Sequence, residues 1–389
     1  MTSVPSPAPA AAPSAATRVT CLDGLRGVAA CAVVVFHFFY AFTPGPFMDR
    51  ARGGFGLFDT PVAVLWNGHF AVAVFFALSG FVLAASSPRT LREAPLLIGL
   101  RYFRLAVPAL VSSVIAWAWL EGFPDAARGA QALTGSSWFR WTYQPPIPPL
   151  SQAIFEGGIG VFLNGTTRFN NPLWTMQTEL LGSLLIYGAY AVFKGRWRTP
   201  ALTVGLVGFA LSGLFSFAAF CGGALIFEQR HRLRDLPVTG AMLGIAGLVL
   251  GATYPGHTDG PGLLAALQSQ LGGEGFRQAG AVLLMLAVLT TPWLRGTLER
   301  PAMQRLGALS FPIYLVHVPL IVAPASWIFV AFHPLSPLAL LGLFAGVAAA
   351  TAVLAGAFLA TVERPVLAVL KTLRVRGRAR LLVGATRGS

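Results

Sequence analysis

The chain has 389 residues, of which only 11% are charged and 55% are hydrophobic, and its formal net charge is +14. Soluble proteins average about 25% charged residues, so this composition excludes an ordinary soluble enzyme. A basic excess would suggest nucleic-acid binding in a soluble protein. In a membrane protein, arginine and lysine collect in cytoplasmic loops instead, and we therefore expect no nucleic-acid partner.

The apolar residues form blocks that predict membrane-spanning helices. Residues 1–17 carry no charge and lack the basic start of a secretory signal, so we interpret 1–20 as a disordered cytoplasmic tail. The following blocks are long enough to cross a hydrocarbon core of about 30 Å. They predict an all-α, polytopic bundle of about ten transmembrane helices in one domain, 21–366. The candidate spans are 24–42, 62–85, 102–120, 173–193, 200–214, 216–228, 238–254, 278–293, 307–332 and 336–362.

The fifth and sixth candidate spans have two interpretations. Residues 200–227 contain no charge and are compatible with one long tilted helix. Gly213 and the pair Gly222–Gly223 favour two short helices with a tight turn.

The distribution of basic residues predicts the orientation. With the N-terminus inside, the inner segments hold 21 lysines and arginines and the outer segments hold 6, with Arg26 at the inner boundary. This bias predicts an inner (plasma) membrane protein with both termini in the cytoplasm, and it favours the split of 200–228. We expect the basic tail 367–389 to lie on anionic lipid head groups. Within the outer segment 121–172, residues 150–163 are too short to cross and suggest a re-entrant or interfacial element.

Few ionisable groups fall inside the spans, so each is a candidate functional residue. Arg26 and His37 are 11 residues apart and share one face of the first helix, about 16 Å apart along its axis. Asp23 lies one turn before Arg26 and can pair with it. Arginine suits phosphate groups, and imidazole suits a general base for a hydroxyl. The alternative is an ordinary inner-flank arginine and a core histidine with structural hydrogen bonds.

Glu179 lies about two turns into the fourth span, near the depth expected for His37. A carboxylate at that depth needs a partner, and it can orient an imidazole, so we expect Glu179 to assist His37. The alternative is a structural hydrogen bond to a neighbouring helix.

Two further groups of residues come from other spans. His317 is expected in the cytoplasmic half of the ninth span, with Tyr314 one turn earlier on the same face, and a helix-packing hydrogen bond is the alternative role. Ser79 and Gly80 suggest a close helix contact. The three cysteines, Cys21, Cys31 and Cys221, show no metal-binding spacing, and we expect no metal site.

In chain order, these residues form a pattern that resembles the acyltransferase 3 family of membrane-bound O-acyltransferases. Leu22-Asp23-Gly24-Leu25-Arg26-Gly27 followed by His37 is similar to its first-helix hallmark, and Phe76-Ala77-Leu78-Ser79-Gly80-Phe81 to its second-helix signature. Trp174-Thr175 through Glu179 resembles its Trp-Thr-x-x-x-Glu motif. The late motifs Tyr-Leu-x-His and Glu-x-Pro match Tyr314 to His317 and Glu363 to Pro365.

The resemblance implies a ten-helix domain that takes acyl groups, usually acetyl, from cytoplasmic acyl-CoA as donor substrate, with no bound cofactor. It implies that His37 is catalytic and that Arg26 binds the donor. Together with the residue pattern, it predicts transfer to a hydroxyl of a carbohydrate or lipid-linked glycan, with Glu179 assisting and Asp23, Ser79, Trp174, Tyr314 and His317 supporting. The Met176-Gln177-Thr178 sequence before Glu179 departs from many bacterial members. The competing hypothesis is a transporter or flippase with a His/Glu proton relay.

Overall fold

The computed structural model describes residues 19–44, 61–88, 90–143, 146–165, 168–252 and 263–386. These ranges are helical apart from short turns and contain no strand. The predicted tail 1–20 lies almost entirely outside them. The helices are α1 (Thr20–Phe42), α2 (Gly68–Ser86), α3 (Ala94–Gly122), α4 (Ala126–Thr134), α5 (Ser137–Thr142), α6 (Leu150–Leu163), α7 (Thr175–Val192), α8 (Arg198–Leu211), α9 (Phe215–Gln229), α10 (Pro237–Gly251), α11 (Leu263–Thr290), α12 (Pro292–Leu298), α13 (Pro301–Ala331) and α14 (Pro337–Leu381).

Five of the described helices are long and apolar enough to cross a membrane. They are α1, α2, α3 with its preceding turn, α13 and α14. Helix α11 is broken at Gly272, where φ is 63°, and its second part, Gly272–Thr290, forms a pair with α12 that is bent by 96° and supplies a sixth span if it counts as one. The all-helical membrane architecture is therefore confirmed, whereas the predicted number of ten spans is not. Helices α8, α9 and α10 have 14 or 15 residues, and at 1.5 Å per residue they rise only about 21–23 Å.

The predicted break between the fifth and sixth spans is confirmed at Gly213. This residue has φ 73° and lies between the end of α8 and the start of α9. The expected turn role of Gly222–Gly223 is wrong, because both residues lie inside α9. A Cβ on Gly223 would collide with the Ala77 carbonyl of α2, so this glycine allows the two backbones to touch.

Helices α1 and α13 run side by side in the same direction. A Cβ on Gly27 would come within 2.7 Å of the Gly307 backbone nitrogen, so the two helices meet backbone to backbone. Ten residues further along each helix, His37 meets His317. The glycine contact thus sets the register that brings these two histidines together.

The predicted short element at 150–163 is present as helix α6. It packs against the middle of α3, where Gly157 lies against Leu110 and Ser113, and the Tyr102 hydroxyl donates to the Gly158 carbonyl at 2.7 Å. Its 14 residues are too few to cross a bilayer, in agreement with an element that enters the bundle without spanning it.

Helix α14 extends well beyond its predicted end at residue 362. It runs without a break for 45 residues, or about 68 Å, which is more than twice the thickness of a hydrocarbon core. Its final turns pack on the start of α3: Arg378 pairs with Glu93 at 3.2 Å, and Arg374 donates to the Ser86 carbonyl at 2.9 Å.

Candidate active site

A pair of histidine side chains joins α1 to α13. The His37 Nδ1 atom lies 2.8 Å from His317 Nε2, and the two rings are stacked with centroids 5.1 Å apart. The prediction that His317 lies in a different half of the membrane from His37 is therefore wrong. Helix α13 begins at Pro301 rather than at residue 307, and this places His317 deeper along the helix than expected.

The hydrogen bonds of this pair define which nitrogen carries each proton. The other ring nitrogen of His317, Nδ1, lies 2.9 Å from the Ile313 carbonyl, which can only accept. In neutral His317, Nδ1 is then the donor and Nε2 is an acceptor, so His37 must donate through its own Nδ1. This tautomer leaves Nε2 of neutral His37 with a free lone pair, which is what a general base requires.

A proline fixes the backbone next to His317. Pro319 has no N–H, so the Leu315 carbonyl loses its helical donor. Two side chains replace that donor: Ser112 Oγ donates to this oxygen at 2.9 Å, and Asn170 Nδ2 donates at 2.8 Å. The helix of His317 is thus held against α3 and the segment before α7.

Glu179 has a partner other than the expected histidine. Its Oε2 atom forms an ion pair with Arg101 at 2.7 Å, and its Oε1 atom accepts from Ser79 at 2.7 Å. Arg101 also donates through Nε to Ser183 at 3.0 Å. Glu179 is thus held by Arg101 on α3 and by Ser79 rather than by His37, and its assistance to His37 stays a prediction.

A cavity between α1, α2, α3, α7 and α13 brings together three arginines and Glu179. Its empty space, including the mouth, is about 770 Å³, and it is lined by Arg26, Arg101, Arg104, Glu179, Ser79, Thr175, Tyr314 and several phenylalanines. Arg26 lies near the start of α1 and Arg104 near the start of α3. The cavity therefore combines polar groups from five helices with an apolar wall.

Two of the arginines in this cavity remain available for an anion. Within the described part of the chain, Arg26 and Arg104 form no hydrogen bond or ion pair. Glu363 interacts electrostatically with both, but its Oε2 atom lacks a hydrogen-bond partner among the described residues. Cations inside a membrane domain are costly, so two arginines without a hydrogen-bonded protein partner among the described residues are typical of a site for an anionic ligand.

Tyr314 links the cavity to the histidine pair. It lines the cavity, and its ring centroid is 6.1 Å from that of His317. Its hydroxyl donates to the Pro172 carbonyl at 2.7 Å and lies 2.9 Å from Thr175 Oγ1. The late Tyr-Leu-x-His motif therefore joins the Trp-Thr motif through a buried hydrogen bond.

The other predicted supporting residues, Ser79, Asp23 and Trp174, differ in how they relate to the arginine cavity. Ser79 holds Glu179, as described above. The Asp23 carboxylate acts electrostatically on Arg26, as its position one turn earlier predicts, without a close ion pair between the two side chains in the described part of the chain. Trp174 is 41% exposed and does not line the cavity.

An aromatic residue that the sequence did not single out covers the histidine pair. Trp138 of the short helix α5 has its ring centroid 5.6 Å from that of His37, with 33° between the planes, and is only 3% exposed. Sequence reasoning also missed Arg101 and Arg104, which were counted as flanking charges. Their spacing of three residues beside Leu105 and Ala106 places both on one helical face, which is the signal that could have found them.

Comparisons with known proteins agree on one family. A family model described as "Acyltransferase domain" (acyltransferase 3) matches residues 19–361. The chain is similar to acyltransferase clz18 of Cochliobolus lunatus, with 23% identity over an alignment that covers 72% of this chain and 73% of that protein. No solved structure matches it. The matched region includes the histidine pair, the arginine cavity and every helix from α1 to α13, so the chain belongs to the acyltransferase 3 family and is an acyltransferase.

Proposed function

We propose that this acyltransferase moves an acyl group, acetyl in the simplest case, from acyl-CoA to a hydroxyl of a carbohydrate or lipid-linked glycan. The observation that carries the proposal is the His37–His317 hydrogen bond, which leaves Nε2 of neutral His37 as an acceptor, close to a cavity whose Arg26 and Arg104 form no hydrogen bond within the described residues. This arrangement combines a general base with an anion site inside the membrane.

The arginine cavity supports the donor half of the proposal. Coenzyme A carries phosphate groups, and guanidinium groups bind phosphate through paired N–H donors. Arg26 and Arg104 donate to no other residue in the described part of the chain. The phenylalanines of the same wall suit the less polar pantetheine arm, which is long enough to carry a thioester from the cavity toward His37.

The histidine pair supports the chemical step. An acceptor O–H donates its proton to His37 Nε2 as its oxygen attacks the thioester carbonyl carbon. The tetrahedral intermediate collapses with cleavage of the C–S bond, and the coenzyme A thiolate takes the proton back from the His37 imidazolium. His317 stabilises that imidazolium by accepting the Nδ1–H, the role that a carboxylate or carbonyl has beside other catalytic histidines.

The charge distribution supports an inner-membrane location with both termini in the cytoplasm. Arg26 and Arg104 lie in the first halves of α1 and α3, which follow the predicted inner segments, and Glu363 lies just before the basic stretch of α14. In that orientation, the donor site opens to the cytoplasm, where acyl-CoA is made, and α5 with Trp138 lies toward the outer side. Reporter fusions at the termini and after α5 test this arrangement.

The transporter alternative depends on contact between His37 and Glu179 as a proton relay. The structure places Glu179 on Arg101 and His37 on His317 instead. No observation favours that alternative.

The test is a deletion strain complemented with the wild-type chain, His37→Gln or the matched control His231→Gln, whose side chain is exposed in a loop. Mass spectrometry of surface glycans and secreted metabolites records acylated products. We expect His231→Gln to restore the acyl mass increment and His37→Gln to abolish it at equal membrane abundance. Full restoration by His37→Gln would remove the proposed base.

A further inference from the structure

We propose that Trp138 is the acceptor-binding residue of this enzyme, and that its indole N–H donates to a second oxygen of a polyhydroxylated ring whose reacting hydroxyl faces His37. This inference rests on the proposed function, because it places the acceptor against the same histidine. It adds an acceptor subsite on α5, outside the arginine cavity.

The first observation is position. The His37 ring contacts both the Trp138 ring, at 5.6 Å between centroids, and the His317 ring, at 5.1 Å. His37 is thus flanked by aromatic rings from α5 and α13. A substrate hydroxyl bound at Nε2 of His37 would therefore lie close to the Trp138 indole.

The second observation is an unused donor. The Trp138 Nε1 atom is buried and has no hydrogen-bond partner among the described residues. A buried N–H left unpaired costs about 1–3 kcal/mol, so such groups in native proteins usually have a function or a missing partner. The neighbouring Tyr143 hydroxyl and Asn170 Oδ1 are also buried without a partner in the described ranges.

The third observation is that α5 is anchored on both sides. Ser136 Oγ donates to the Tyr40 carbonyl at 2.7 Å, and the Tyr40 hydroxyl lies 3.3 Å from Ser137 Oγ. At the other end, Asn171 donates to Thr142 Oγ1 at 3.1 Å. These bonds hold Trp138 between the end of α1 and the segment before α7. The unpaired indole N–H of Trp138 therefore has a fixed position.

The chemistry of these groups selects the acceptor class. A simple alcohol offers one oxygen, and the reaction with His37 uses it. A sugar-like ring offers further oxygens for the indole N–H and also C–H groups for the flat apolar face of tryptophan, which combines both properties in one side chain. A polyhydroxylated ring therefore satisfies the site better than an aliphatic alcohol.

The experiment uses the full chain in lipid nanodiscs with acetyl-CoA and two probes, octyl β-D-glucoside and 1-octanol. Acetylated product is measured for the wild type, Trp138→Phe, and the control Trp327→Phe, whose indole is 53% exposed. We expect the wild type and the control to prefer the glucoside. Trp138→Phe keeps the aromatic face but loses the N–H, and we expect it to lower the glucoside-to-octanol ratio at least tenfold with the acetyl-CoA KM unchanged.

An unchanged ratio in Trp138→Phe overturns the inference, and so does a wild type that acetylates octanol as fast as the glucoside or acetylates neither probe. The wild-type preference needs no variant and stays informative if Trp138→Phe fails to fold. Activity of His37→Gln in the same assay contradicts the proposed function itself, so the two failures are distinguishable.

Discussion

His37 on α1 and His317 on α13 share a 2.8 Å hydrogen bond between Nδ1 and Nε2. The His317 Nδ1–H is committed to the Ile313 carbonyl, so the direction of this bond is set by the backbone of α13. His317 is fully buried, whereas His37 keeps some exposed surface. His317 is therefore the positioning residue, and His37 is the residue that meets substrate.

Two amide substitutions at position 317 separate the roles of its nitrogens. In His317→Gln, the amide oxygen Oε1 lies near the position of the native His317 Nε2 and can accept from His37. In His317→Asn, the shorter side chain mimics only the native Nδ1. We expect His317→Gln to retain roughly a tenth of kcat and His317→Asn to lose about 10²-fold or more, in line with general-base catalysis. Steady-state kinetics measure both, and equal losses in the two variants contradict the proposed hydrogen-bond direction.

The free arginines predict a donor-binding defect. Arg26→Gln and Arg104→Gln each remove a phosphate-binding fork, so we expect the KM for acyl-CoA to rise about tenfold or more, with a smaller change in kcat. Arg26→Lys should not restore binding fully, since a lysine cannot bind phosphate through two parallel donors. The matched control is Arg128→Gln, which removes an exposed arginine paired with Asp125. An unchanged KM in both cavity variants would place the donor elsewhere.

The ion pair of Arg101 with Glu179 predicts a non-additive effect on stability. Both side chains are largely buried, at 14% and 10% exposure. Glu179→Gln leaves the Arg101 charge without its partner, which typically costs about 3–5 kcal/mol, and Arg101→Gln has the converse effect. We expect the double variant Arg101→Gln/Glu179→Gln to unfold at a higher temperature than either single variant. Thermal unfolding in detergent measures this, and additive losses argue against a coupled pair.

The register of α1 on α13 predicts a strict requirement for glycine at position 27. A Cβ there would come within 2.7 Å of the Gly307 backbone, so Gly27→Ala should separate the helices and misalign the two histidines. We expect lower membrane abundance and loss of activity. Gly99→Ala is the control, because nothing lies within 4 Å of the position of its Cβ. Normal activity of Gly27→Ala would mean that the histidine contact does not depend on this register.

The chemistry-bearing residues could be found from the sequence, because polar groups inside apolar blocks are few. Arg26, His37, Glu179 and His317 stand out against the surrounding alanine, valine and leucine, and the motif order identifies the family. Their pairing could not be found in this way. The apolar pattern predicts that the helix of His317 begins at residue 307, six residues later than its observed start at Pro301. That predicted start places His317 too shallow in the membrane to contact His37 and favours Glu179 as the partner.

Other features depend on tertiary structure and leave only a weak local signal. Arg101 and Arg104 flank an apolar run and have the composition of loop charges, but α3 begins at Ala94 and both arginines line the cavity. Trp138 lies in a segment with no span, and only the fold brings it onto His37. The predicted number of ten spans is not confirmed, because hydropathy does not distinguish a short apolar helix from one that crosses the membrane.

The most direct measurement is the steady-state kinetics of purified His37→Gln beside the wild type, with acetyl-CoA as donor. If Nε2 of His37 is the base, kcat falls by about 10²–10⁴, while the donor KM stays within about twofold because the arginine cavity is intact. A variant that retains wild-type kcat, or that loses activity only through a higher donor KM, contradicts the assignment of His37 as the catalytic base.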